Sequence, residues 1–98
     1  MEIRFEWDKN KNDSNLKKHK ISFEVATRVF ADPNAVSKQD RFENGEYRWQ
    51  TLGMVGGCLV VLVAHTVFID NNTEIIRIIS ARKATSQERK HYEKNCSL

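Results

Sequence analysis

Residues 46–82 read EYRWQTLGMVGGCLVVLVAHTVFIDNNTEIIRIISAR, and this stretch decides the fold. Tyr47, Trp49 and Thr51 alternate with Arg48, Gln50 and Leu52, the two-residue period of a strand with two unlike faces. Gly56-Gly57 then marks a hairpin. Cys58 to Ile69 is apolar at successive positions, as a central strand covered on both faces would be. Asp70-Asn71-Asn72-Thr73 reads as a turn. Glu74 to Arg82 is another strand, with Ile76, Ile78 and Ser80 on one face and Ile75, Arg77, Ile79 and Ala81 on the other. Three consecutive strands joined by short turns predict an antiparallel meander.

Upstream, Ile3, Phe5 and Trp7 alternate with Glu2, Arg4, Glu6 and Asp8, which predicts a half-buried strand. Asp8 can cap a polar helix over about residues 9–19, and Ser22 a second one from Phe23 to about Ala31. Asp32-Pro33 stops that helix, because Pro disfavours helical geometry at the residue before it. Residues 34–46 are polar and acidic, with room for a short strand at Ala35–Lys38 and a turn at Asn44-Gly45. Downstream, Thr85-Ser86-Gln87-Glu88 matches a capping box, a hydroxyl with a carboxylate three residues on, and starts a helix reaching about Asn95. The order is β-α-α-β-β-β-α. It predicts one α+β domain over residues 1–98, an antiparallel sheet with helices on one face, and the first strand at its edge or centre.

With 40% hydrophobic and 30% charged residues the chain is an ordinary globular composition, which excludes disordered and fibrous classes. The apolar run Cys58 to Ala64 is too short and too β-branched to span a membrane as a helix. Met1-Glu2-Ile3-Arg4 lacks a signal-peptide pattern, so a cytoplasmic location and no membrane partner are expected. Cys58 and Cys96 have no partner spacing and read as reduced thiols. With three scattered His as well, neither a metal nor another cofactor is expected.

Charge is uneven. Residues 1–20 carry six Lys/Arg against four Asp/Glu, residues 21–76 four against seven, and residues 77–98 six against two. The basic C-terminal block reads either as a polyanion site or as a solvated helix face. Within it, Arg77 projects from a strand, and Arg82 and Lys83 sit before a helix N-terminus, where cations and backbone N–H groups together favour a phosphate. Glu88, His91 and Tyr92 lie at spacings that share a helix face. RNA cleavage needs a deprotonated 2′-OH, a stabilised phosphorane and a protonated leaving oxygen, and these residue types can supply all three without a metal. Glu88 is equally read as the capping-box carboxylate, and Tyr92 as core packing with its OH at the rim. His19, after Lys17-Lys18, is either an acid–base group or a helix-end residue. Tyr47-Arg48-Trp49 reads as a stacking site for single-stranded RNA or, for Trp49, as core.

These residues resemble a family. Phe5-Glu6-Trp7-Asp8, Lys11, Asn15, Lys18-His19, Ile21-Ser22-Phe23-Glu24, Ala26, Val29-Phe30, Asp32-Pro33, Arg48-Trp49, Gly53, Arg77-Ile78-Ile79-Ser80-Ala81-Arg82-Lys83-Ala84, Glu88 and Tyr92 look like the BrnT toxin family. The resemblance runs over nearly the whole chain. It implies a RelE-like fold and a ribonuclease toxin of a bacterial type II toxin–antitoxin system that cuts RNA without a metal and inhibits translation. It also implies a BrnA-like ribbon-helix-helix antitoxin that neutralises the toxin and carries the operator DNA contacts. Because ribbon-helix-helix proteins are dimers, two toxins with two antitoxins are expected. On this reading Arg77, Arg82, Glu88, His19 and Tyr92 are the catalytic candidates. Arg48, Lys83, Lys18 and Trp49 are the RNA-binding ones. A binding module of the same fold without catalysis is the alternative. One departure is Lys20, where the family usually has Gly after the Lys-His pair. A non-Gly residue in a left-handed helix end costs about 1 kcal/mol.

Overall fold

The computed structural model of the chain describes residues 2–96, without the side chain of Cys96, so the reduced thiol expected there lies outside the described residues. The elements run β1 (Glu2–Glu6), α1 (Lys9–His19), α2 (Phe23–Ala26), a 3₁₀ turn (Thr27–Ala31), β2 (Val36–Glu43), β3 (Glu46–Val55), β4 (Leu59–Asp70), β5 (Thr73–Lys83) and α3 (Ser86–Cys96). The sheet order is β1-β5-β4-β3-β2, antiparallel except for β1, which runs parallel to β5 at one edge.

The expected meander is present, and it is longer by one strand. Only a short strand at Ala35–Lys38 was expected before β3, whereas β2 runs eight residues and forms a hairpin with it. Asn44 and Gly45 both take positive φ, 53° and 79°, as a two-residue hairpin turn requires. The strand escapes composition because it is an edge: Ser37, Lys38, Gln39, Asp40 and Arg41 are exposed, and charges with a bulge are how edges resist pairing with other chains.

The second helix is also shorter than its spacing predicts. It is α-helical for four residues and then tightens into the 3₁₀ turn. That turn presses Val29 onto β3 at Gly53. A Cβ on Gly53 would lie 2.7 Å from Val29 Cγ1 and 2.8 Å from Val29 O, so only glycine permits the contact.

Two apolar clusters fill the two faces. Ile21, Phe23, Ala26 and Val29 pack with Val55, Val61, Val63, Ile78 and Ala81 under α1 and α2. Leu52, Val60, Leu62, Ala84 and Tyr92 pack on the opposite face, under α3. Helices therefore lie on both faces rather than one, but α3 covers only the end near Leu62 and leaves the rest of its face open.

β1 stops at Glu6, opposite Arg77, so the second half of β5 has no strand beside it. There Asn15 takes the place of one. Its amide donates to Ala81 O (2.8 Å) and Ile21 O (2.9 Å), and its oxygen accepts from Ala81 N (3.1 Å). The side chain is buried, and it satisfies backbone groups that would otherwise be stranded. α1 ends on Lys20, left-handed at φ 62°, whose N–H donates to Leu16 O. The glycine-type helix end is thus kept without glycine.

Candidate functional site

A β-bulge builds the site. In β5, Ser80 lies opposite Ala64 but Ile78 lies opposite His65, so Ile79 is an extra, unpaired residue. Strict alternation sets Arg77 and Arg82 on opposite faces, because they are five residues apart. The bulge restores them to one face: Arg77 stands opposite Thr66 and Arg82 opposite Leu62. Arg48 also stands opposite Thr66, on its other side, so Arg48 and Arg77 flank β4 at about 10 Å, two strand spacings. All three project from the face opposite α1 and α2.

Every one of these arginines meets a carboxylate. Arg77 Nε donates to Glu6 (3.1 Å), Arg48 lies 3.6 Å from Glu43, and Arg41 lies 2.9 Å from the same Glu43. Arg82 makes the closest pair, a two-pronged fork on Glu88 at 2.8 and 2.9 Å. Glu88 also accepts from Thr85 N (2.9 Å), while Thr85 Oγ1 accepts from Glu88 N (3.2 Å), which completes the capping box. The Arg82 guanidinium and the Thr85 N–H pull the Glu88 carboxyl down to about 2 against the opposing effect of burial, and the pair raises Arg82. In this arrangement Glu88 is a firmly ionised acceptor.

A cleft of about 300 Å³ opens beside Glu88. It is lined by Lys38, Gln50, Gln87 and His91, with Val36, Leu52 and Leu62 as its apolar floor. Sequence reasoning did not assign Lys38, Gln50 or Gln87 here. Lys38 lies in the short strand expected at Ala35–Lys38, but nothing local signals that it faces α3.

The remaining candidates disperse. Lys18 and His19 lie at the uncovered edge of β5, in a shallow recess with Ile79 and Ser80. Lys83 is exposed at the end of β5. Trp49 points to the other face, toward Phe30 and His65. Tyr92 is buried at 3% exposure, and its OH donates to the Asp32 carboxylate. Burial opposes ionisation of Asp32, but Tyr92 and the N–H groups of Met54 and Asn34 together hold it below its usual value. Tyr92 thereby fastens α3 to the loop after the 3₁₀ turn.

Among the described residues, no three His, Cys, Asp or Glu side chains gather as a metal site would need. No helix among them is long and apolar enough to cross a membrane.

Comparison with known proteins agrees with this architecture. No curated protein matches the chain. A solved structure, the 1.1 Å crystal structure of the Brucella abortus ribonuclease toxin BrnT, superposes with a TM-score of 0.60 at 20% identity. The match covers 88% of this chain and 100% of that one, and it shows a shared fold. The profile of the family described as the ribonuclease toxin, BrnT, of type II toxin-antitoxin systems matches residues 7–88, most of the chain. That span takes in Trp7, the whole sheet from β2 onward and the Arg82–Glu88 pair, and on it the chain belongs to the BrnT ribonuclease toxin family of type II toxin-antitoxin systems.

Proposed function

We propose that this chain is a metal-independent endoribonuclease with a RelE-like fold that cleaves RNA and so inhibits translation in the cytoplasm. Its cognate antitoxin would be a BrnA-like ribbon-helix-helix protein. That antitoxin would neutralise it in a complex of two toxins and two antitoxins, and would contact the operator DNA.

One observation carries the reading. Cations from three strands (Lys38, Arg48, Arg77 and Arg82) share one sheet face with a cleft that holds a carboxylate and an imidazole, Glu88 and His91. Arg77 and Arg82 neutralise the scissile phosphate as negative charge builds on its oxygens. Arg48, Lys83 and Lys18 hold flanking phosphates. A phosphate entering the Arg82 fork displaces Glu88, whose carboxyl then loses the largest influence that depresses it and can accept the 2′-OH proton. Histidine is the side chain suited to proton transfer near neutral pH, so His91 in the cleft and His19 at the β5 edge are the other candidates. Tyr92 acts by positioning α3, because its OH is engaged by Asp32.

The experiment is incubation of the purified protein with RNA, with and without chelator, beside growth assays of Arg82→Ala and Glu88→Ala. Cleavage that survives chelator, lost in both folded variants, is expected. Full toxicity in both folded variants would sink the site assignment. A second reading, an antitoxin-binding module without catalysis, draws on the Arg82–Glu88 fork, in which each group already satisfies the other. Absence of cleavage under all conditions would favour it. The pH–rate profiles of His19, Glu88 and His91 variants then assign the base.

A further inference from the structure

The face that carries α1 and α2 is covered over only part of its length. Beyond Phe30 the strands run on to their hairpin turns with apolar side chains turned to solvent. Six large apolar side chains are exposed among the described residues, and four of them lie on this surface: Ile3 (56%), Phe42 (61%), Tyr47 (54%) and Ile69 (57%). Strand register gathers them from four strands. Phe42 lies opposite Tyr47, with ring centroids 4.8 Å apart, and Ile69 lies opposite Glu74, which lies opposite Ile3. Between them a groove of about 450 Å³ runs over Trp49 and Val67, walled by Phe30 and ended by Glu74. A contiguous apolar surface of this kind marks a protein interaction site.

Charge narrows the occupant. No Lys or Arg lines the groove, and Glu74 is its one charged side chain. Among the described residues, Glu74 forms no ion pair. The opposite face holds the arginines. The groove offers a phosphate no cation, whereas an amphipathic protein segment with apolar residues and a Lys or Arg to meet Glu74 is complementary.

We propose that this end of the sheet is where the antitoxin docks, through an apolar segment bearing a cation that meets Glu74. The inference rests on reading the chain as the toxin of a toxin–antitoxin pair. It goes further in separating the two surfaces: the antitoxin grips one face and RNA meets the other.

The test uses the full chain and the antitoxin encoded by the adjacent reading frame. A Phe42→Ser, Ile69→Ser double variant and a Glu74→Lys variant change side chains at the rim of this surface, and their melting curves confirm folding. Truncating two interface anchors lowers antitoxin affinity by about 100-fold, and the charge reversal lowers it by about 10-fold, in titration calorimetry. RNA cleavage by the free variants stays at the wild-type rate, and co-expressed antitoxin no longer protects the cells. If both folded variants bind the antitoxin like wild type, the proposal is overturned. It is equally overturned if they only abolish self-association in sedimentation, since the surface then belongs to a second copy. A wild-type chain that cuts no RNA but loses its antitoxin through these changes leaves docking standing and removes the ribonuclease reading.

Discussion

Arg77 and Arg82 stand on the same face of the sheet although they are five residues apart, because the unpaired Ile79 between them shifts the alternation by one. Their joint presentation makes a polyanion site out of one strand. For single-stranded RNA, each phosphate contact contributes about 0.7 to the slope of log affinity against log salt. Arg77→Gln and Arg82→Gln are each expected to lower that slope by roughly this amount, read by fluorescence anisotropy across a salt series. Unchanged slopes would remove these arginines from the RNA surface.

Acid should unfold the protein in two stages. Burial pushes the His65 ring down to about 4 from 6.5, so the unfolded chain takes up a proton before the folded one does. Its cost is absent above pH 6.5 and grows as pH falls toward 4, to about 2–3 kcal/mol. Glu88 adds a separate loss at lower pH. Its stabilisation is full above about pH 4.5 and disappears as pH falls toward 2. Solvent screening at this partly exposed pair limits it to about 1 kcal/mol. Denaturant unfolding across pH should show His65→Gln flattening the upper stage and Glu88→Gln the lower.

Asn15→Asp should be more damaging than its small change in shape suggests. A carboxylate accepts from Ala81 N but cannot donate to Ala81 O and Ile21 O, and it places a charge beside them. The expected loss is about 3 kcal/mol, with Asn15→Ala close behind. Hydrogen exchange at Ala81 should rise most in Asn15→Ala, which leaves its N–H without that acceptor.

Gly53→Ala forces a methyl into the Val29 backbone and should cost about 3 kcal/mol, the upper range for overpacking. A Gly53→Ala, Val29→Ala double variant relieves the Cγ1 contact but not the one to Val29 O, so the rescue in Tm is partial.

Lys20→Gly should stabilise. The left-handed backbone at Lys20 is the conformation glycine takes freely, and removing the strain is worth about 1 kcal/mol. In a domain of this size that raises Tm by roughly 4–8 °C, readable by calorimetry.

The parts of the fold legible in the sequence were those encoded by neighbours. The boundaries of β3 follow from its alternation, and both predicted helix caps, Asp8 and Ser22, accept the backbone N–H groups expected of them. The capping box at Thr85 is present as well. What was hidden depends on contacts far along the chain. β2 is polar because it is an edge, Ile79 is a bulge only relative to β4, and Asn15 matters only because β1 ends early. The candidate site divides in the same way. Arg82 and Glu88 meet across one strand-to-helix junction and were named from it, whereas Lys38 and Gln50 reach the cleft by strand pairing, which no local pattern reports.

The parallel pairing of β1 with β5 also has a bearing on synthesis. Glu2 lies opposite Thr73 and Glu6 opposite Arg77, so β1 has no strand partner until β5 has been made. Pairings between such distant segments form late, because a long loop must close before any contact rewards it. The β2–β5 meander joins neighbouring segments and can assemble early, but the edge carrying Glu6 and Arg77 closes across 71 residues of sequence. The arginine face is therefore finished in the last step of folding rather than the first.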